Sequence, residues 1–281
     1  MTDAWLMAVF ASFATVFGLV FGSFLNVLIA RWPHDASLLT PSHCPKCGAG
    51  VRPWDLVPVL SWLWLGGKCR DCKAPISRTY PMVELLMAGV GWLMYQRFFS
   101  VPDDLVFANV VAWIVFFTFA CLIVVMAFVD LRYQIIPDQT SIYAVPIGIA
   151  GAIALELVGF EGFLGVGWMQ SVLGALLGGG FLGLVALIGG LVLKEEALGW
   201  GDAKVLAMIG AFVGAVPGVW MVLLAGSVLQ SIVGLLYWLA TRKRMLPLGP
   251  ALGVVSIVYV LYGDAIVPLY LPYFWAAWVG S

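Results

Sequence analysis

Met126-Ala127-Phe128-Val129-Asp130-Leu131-Arg132 closes one apolar run, and Gly199-Trp200-Gly201-Asp202-Ala203-Lys204 stands where a second has ended and a third begins. Whether such runs are buried in protein or in lipid decides the fold. With 63% hydrophobic and 10% charged residues over 281 positions, and a mean hydropathy of +1.03, the answer is lipid. A soluble domain is about half apolar and about a quarter charged. The chain therefore reads as an all-α polytopic membrane protein. A carboxyl group beside hydrocarbon is costly, so Asp130 and Asp202 are functional candidates by default.

A bilayer-spanning helix takes about 20 apolar residues. The runs predict eight spans, at 5–30, 81–99, 105–129, 141–160, 168–193, 203–216, 219–240 and 249–270. The sixth is the shortest, stopped by Pro217-Gly218, and seven spans is the alternative count. The first run has no basic segment before it and no small-residue cleavage site after it, so it is read as a retained helix. With both termini outside, 13 of the 14 Lys and Arg residues fall on the cytoplasmic side and Arg97 alone falls outside. Losing one span would put Arg242, Lys243 and Arg244 on the wrong side. This topology sets Asp130 at the cytoplasmic end of span three and Asp202 at the cytoplasmic start of span six. Thirteen Trp and nine Tyr suit the interfacial belts of a bilayer. A net charge of −1 carries no electrostatic footprint for nucleic acid.

Three regions follow: a first transmembrane helix at 1–31, a polar cytoplasmic insertion at 32–80, and a membrane-embedded core at 81–281. The insertion contains Cys44-Pro-Lys-Cys47 and Cys69-Arg-Asp-Cys72. Two C-x-x-C knuckles at this spacing read as a four-thiolate ribbon for zinc, or for iron in the same cage, and two disulfides are the competing pairing. Four sulfur ligands leave no open coordination position, so the metal's role is structural. Cys121, inside span three, reads as a small apolar filler.

Within span one, Gly18-Leu-Val-Phe-Gly22 is a helix-packing pattern. Asn26 is read as a satisfied interhelical polar group or a substrate contact. Glu84, in the first turns of span two, is read equally as structural or functional. Gly199 and Gly201 would let the backbone near Asp202 bend and approach a substrate closely. Arg132 and Lys204, two positions beyond each acid, read as headgroup anchors. Asp138 in Ile135-Ile-Pro-Asp138 rivals Asp130, with N-capping of span four as its ordinary explanation.

Two carboxyl groups a few ångströms apart share a proton. One takes a proton from water as the water attacks a carbonyl, while its protonated neighbour polarises that carbonyl. That is peptide hydrolysis without a metal or a covalent intermediate.

Taken in order, Gly22-Ser-Phe-Leu-Asn26, Arg31-Trp-Pro33, the two knuckles around Arg52-Pro-Trp-Asp55, Arg78-Thr-Tyr-Pro-Met-Val-Glu84, Asp130-Leu-Arg132, Ile136-Pro-Asp138, Gly199-Trp-Gly-Asp202-Ala-Lys204 and Pro247-Leu-Gly-Pro250 resemble the type IV prepilin peptidase family. The ordered set is specific; Gly-x-Gly-Asp alone is not. The resemblance implies an aspartic protease of the bacterial inner membrane, with Asp130 and Asp202 as its catalytic pair. It implies cleavage of prepilin and pseudopilin leaders after glycine on the cytoplasmic side. Many members also methylate the new N-terminus with S-adenosylmethionine. Leu248 stands where the family usually has Phe, in what reads as a structural turn, and the loop between Pro33 and Cys44 is shorter than in many relatives. Glu195 and Glu196, beside the Gly-x-Gly-Asp stretch, would attract the basic leader. Rival classes are a proton-coupled transporter, an intramembrane protease of other substrates, and a structural subunit of a pilus or secretion assembly. The first is disfavoured because the acids lie at one membrane edge and no inverted repeat is evident. The methyl-donor pocket, the particular pilins and the oligomeric state are not legible in the sequence.

Overall fold

Backbone groups in lipid must be satisfied within the segment, so apolar runs of this length fold as helices. The computed structural model describes residues 2–99, 107–193, 199–242 and 247–270, apart from the side chains of 2–4, 192, 193 and 270. The helices are α1 (Thr2–Arg31), α2 (Leu60–Trp64), α3 (Thr79–Phe98), α4 (Phe107–Tyr133), α5 (Val145–Leu157), α6 (Trp168–Leu193), α7 (Trp200–Val213), α8 (Trp220–Thr241) and α9 (Gly249–Tyr270). Proline punctuates them. Pro33 follows the end of α1, Pro146 opens α5 and Pro250 opens α9, each where a missing N–H costs nothing.

Among the described residues six segments are long and apolar enough to cross a bilayer: α1, α4, α5 with its leading turns, α6, α8 with the turn before it, and α9. The other two expected spans differ. α3 has 20 residues but carries Glu84, Gln96 and Arg97. α7 has 14 residues, about 21 Å of helix against a hydrocarbon layer of about 30 Å. It ends because Gly214 takes a positive φ of 78° and Pro217 follows within a π-helical turn, Ala215–Val219. The boundaries beside the two acids also move. α4 runs to Tyr133 instead of 129, and α7 starts at Trp200 instead of 203, so both acids sit within helical turns.

The chain forms two compact units, residues 1–105 and 106–281. In the first, α1 and α3 pack backbone to backbone. A Cβ on Gly22 would lie 2.7 Å from Glu84 Cα, one on Gly91 would lie 2.5 Å from Ala14 O, and one on Gly18 would collide with Met87 O. The Gly18–Gly22 pattern is thus a packing face, as the spacing predicts. In the second unit α6 and α7 make the same kind of seam, with Gly174 against Gly210. Its core is filled by Phe116, Phe119, Met126, Leu206, Met208 and Leu252.

Candidate functional site

Asp130 occupies the last turn of α4 and is 4% exposed. Its Oδ2 has no hydrogen-bond partner, an expensive state for a buried polar atom. The start of α9 lies against it. A Cβ on Gly249 would come 2.6 Å from Asp130 Oδ2 and 3.1 Å from Met126 Sδ. Only a residue without a side chain leaves room for the carboxylate here. The turn is fixed by Leu248, whose carbonyl accepts from the N–H groups of Ala251 (3.0 Å) and Leu252 (3.1 Å).

Asp202 lies in the first turn of α7, its N–H donating to Gly199 O at 3.0 Å. It is half-buried and within electrostatic range of Asp130. The helices explain how the acids meet. Phe119 of α4 packs on Phe212 of α7, with ring centroids 4.8 Å apart. From that contact, Asp130 is eleven residues toward the end of α4 and Asp202 ten residues toward the start of α7. Both distances are about 15 Å of helix, so antiparallel packing returns the two carboxyls to one level.

A second contact holds the same level. The segment that leaves α4 reaches α7 twice. A Cβ on Gly201 would lie 2.8 Å from Ile136 Cδ1, and Lys204 Nζ donates to Asp138 Oδ1 at 2.8 Å. Three sequence readings change accordingly. Asp138 caps no helix end; it opens a 3-10 turn without a side-chain cap and pairs with Lys204. Lys204 is engaged by that carboxylate. Gly201 is a packing position inside α7, whereas Gly199 is exposed with only ordinary contacts around it. Glu195 and Glu196 lie outside the described residues.

In the first unit Asn26 and Glu84 both hold backbone. Asn26 Nδ2 donates to Tyr80 O (3.0 Å) and Gly22 O (3.2 Å), tying the last turns of α1 to the start of α3. Glu84 Oε2 accepts from the N–H of Val59 at 2.7 Å. Val59 has φ 61°, ψ −52°, a conformation that a β-branched residue adopts only under restraint. Glu84 supplies that restraint, and no sequence signal marks Val59.

All five cysteines are unpaired thiols, so the disulfide alternative falls. The sulfurs of Cys44, Cys47, Cys69 and Cys72 lie within 4.8 Å of one another, with Cys44 and Cys72 at 3.8 Å. Zinc–sulfur bonds of about 2.3 Å in a tetrahedron place sulfurs about 3.8 Å apart, so the set fits such an ion. The two knuckles are copies. Cys44 N donates to Ala49 O as Cys69 N does to Ala74 O, and bridges His43–Gly50 and Lys68–Pro75 close them. Backbone N–H groups of Cys47 and Lys46 bring the Cys44 thiol down to about 6, whereas Cys72, despite a backbone hydrogen bond from Ala74, is pushed up to about 11 by burial and its three sulfur neighbours. The knuckles are cross-tied by two ion pairs. Arg70 grips Asp55 with Nε and Nη2, and Arg52 reaches Asp71 at 3.6 Å. The Arg70 guanidinium holds the Asp55 carboxyl below the usual carboxylate range.

Sequence reasoning missed Gly249 as a neighbour of Asp130, the Lys204–Asp138 pair and the Arg70–Asp55 fork. A glycine between two prolines was the available signal for the first; the others need tertiary structure.

Residues 16–98 match the Bacterial Peptidase A24 N-terminal domain, and residues 115–239 match the Type IV leader peptidase family. A prepilin leader peptidase/N-methyltransferase of Myxococcus xanthus is 39% identical, over 83% of this chain and 65% of that protein. One from Aeromonas hydrophila is 32% identical over 96% of each chain. One from Bacillus subtilis is 32% identical over 91% of this chain and 96% of its own. No solved structure matches the chain.

Proposed function

We propose that this chain, which belongs to the type IV leader peptidase family, is a multi-pass inner-membrane aspartic endopeptidase that cuts the leaders of prepilins and pseudopilins, with Asp130 and Asp202 as its catalytic pair. The observation that carries the reading is the buried, unpartnered Asp130 Oδ2 within range of a second carboxyl at the same helical level. A carboxylate kept only for structure is ordinarily paired when buried. A shared proton, an attacking water or a peptide carbonyl would complete it.

In the mechanism the pair carries one proton between its two carboxyls. The ionised member removes a proton from water as the water's oxygen bonds to the scissile carbonyl carbon. The protonated member donates a hydrogen bond to the carbonyl oxygen, which takes the electron pair of the C=O π bond. Collapse of that tetrahedral centre breaks the C–N bond, and a proton passes to the leaving amine. The pair titrates as a unit, so acid and base are roles of the dyad and not labels for one residue. Both acids sit on helices, which fixes their geometry better than loops would. Gly249 keeps the space beside Asp130 open, and the Ile136–Gly201 and Lys204–Asp138 contacts set the height of α7 against the end of α4.

The substrate fits this placement. A prepilin is an apolar helix behind a short basic leader, so its cut, after glycine, falls at the membrane edge. By the charge asymmetry of the connecting segments that edge is the cytoplasmic one. The relatives' names pair leader peptidase with N-methyltransferase. Methylation of the new N-terminal residue from S-adenosylmethionine follows as this chain's second activity. Zinc on Cys44, Cys47, Cys69 and Cys72 would tie the two knuckles together and supply no catalysis.

The test is cleavage of a prepilin reconstituted in lipid with wild-type, Asp130→Asn and Asp202→Asn protein. Asparagine keeps the shape of each side chain and removes the shared proton. Each variant is expected to lose activity by about 10²- to 10⁴-fold, the range for removal of general acid–base catalysis. Mass spectrometry of the new N-terminus reads both the cut site and the added methyl group. Cleavage at the wild-type rate by either variant removes that residue from the mechanism.

A further inference from the structure

Helix α2 is amphipathic in the wrong sense for a water-facing module. Leu60, Leu63 and Trp64, at positions i, i+3 and i+4, share one face and are 56%, 59% and 54% exposed. Its other side is inward: Ser61 is buried, and Trp62 packs on Gly67 and donates its indole N–H to Ile76 O at 3.3 Å. Trp54, Leu56 and Val57, just before α2, are exposed as well. Six exposed large apolar residues thus fall within eleven positions, 54–64, a density that marks a surface meeting something other than water.

The depth of this face follows from Glu84. That residue lies five positions inside α3, and its carboxylate holds the N–H of Val59, the residue that opens α2. Side chains on a helix lean toward its N-terminus, so Val59 is held beside the first turns of α3. At the same level α3 exposes Tyr80, Met82, Leu85 and Leu86, and α1 is tied in through Asn26 and Tyr80. The outward face of α2 therefore lies at the depth of α3's exposed apolar residues and of the last turns of α1, a helix long and apolar enough to cross a bilayer. Exposed Arg52, Lys68 and Arg78 lie in the flanking segments, the pairing of cations with tryptophan and leucine that suits an anionic headgroup layer.

We infer that Leu56–Trp64 is an interfacial anchor, a short re-entrant segment whose Leu60–Leu63–Trp64 face dips into the leaflet from which α3 starts. The cysteine ribbon then lies on the membrane surface and does not hang from two linkers. Its occupant is phospholipid. The strained backbone at Val59 turns the chain down into the leaflet, and Glu84 pins that turn.

The inference rests on the membrane reading of α1 and not on the peptidase reading. Prepilin cleavage by the same preparation therefore reports separately on the acids. The experiment uses the unmodified full chain in nanodiscs of phosphatidylglycerol that carries a photoactivatable diazirine on its acyl chain. After irradiation, lipid adducts are mapped by peptide mass spectrometry. The 56–64 peptide is expected to label within about threefold of the 80–86 stretch of α3 and at least about tenfold above the first knuckle, 43–50, as for a helix buried to the acyl boundary. Labelling of 56–64 no higher than that of 43–50 overturns the anchor. So does protection of 56–64 from labelling by added prepilin, or by a second copy of the chain in the same nanodisc, since the face would then belong to a protein partner and not to lipid.

Discussion

The cysteine ribbon and the acid pair are built on opposite principles. In the ribbon both acids named above have partners: Asp55 is gripped by Arg70, Asp71 meets Arg52, and four sulfurs converge on one point. At the acid pair a buried carboxylate oxygen has none. Paired groups hold shape, whereas a buried carboxylate oxygen without a partner is costly and is completed by a shared proton, a water or a substrate carbonyl. The difference predicts opposite responses to adding or removing atoms in the two regions.

The largest effect belongs at Gly249. An added methyl group would sit 2.6 Å from Asp130 Oδ2 and 3.1 Å from Met126 Sδ, inside van der Waals contact with both. Gly249→Ala is expected to cost prepilin cleavage about 10²-fold or more, since it displaces one half of an acid–base pair. Metal bound per chain should not change, because the ribbon belongs to the other compact unit. Near-normal cleavage by this variant would mean that the space beside Asp130 is not used, and the contrast between the open and the closed region would collapse.

How much of this was legible beforehand differs between the regions for a physical reason. Knuckle spacing is a local pattern, and the four cysteines declare themselves because metal ligation demands that spacing. The two acids were legible as costly groups at the ends of apolar runs. Their meeting was not, since it depends on antiparallel packing through Phe119 and Phe212. Length misled at α7, where an apolar run shorter than a span counted as one until Gly214 and Pro217 ended it. Asp138 misled because a carboxylate after proline before a helix is the usual picture of a cap, and only tertiary structure brings Lys204 to it. Gly249 was visible as a turn residue, but nothing local says that a turn faces an acid 119 positions earlier.

A smaller effect is expected at the Lys204–Asp138 pair, which sharpens the contrast because it is a satisfied contact inside the open region. Its side chains are 35% and 50% exposed, so the pair contributes about 0.2–1 kcal/mol. Lys204→Met and Asp138→Asn should each lower the rate of cleavage by a few-fold, through the height of α7 and not through the chemistry. The swapped double variant, Lys204→Asp with Asp138→Lys, should recover most of the loss. If Lys204→Met alone removes activity as completely as Asp202→Asn, Lys204 touches the reacting atoms, and the pair is more than a spacer.

The smallest effect tests the closed region against itself. Its two knuckles share a left-handed backbone position but fill it differently: the first with Gly48 at φ 73°, the second with Lys73 at φ 60°. A left-handed backbone costs an L-residue about 1–2 kcal/mol, and glycine adopts it freely. Lys73 N still donates to Cys69 O at 3.1 Å, so the turn is formed despite the penalty and only the side chain is out of place. Lys73→Gly should leave the turn intact and remove that strain, while glycine's greater freedom in the unfolded chain returns part of the gain. The net expectation is a rise of about 0.5–1 kcal/mol in the stability of the metal-loaded ribbon, read as resistance of bound zinc to a competing chelator, with prepilin cleavage unchanged. A loss of zinc in this variant would mean that the lysine side chain itself supports the second knuckle, and that the two copies are not equivalent after all.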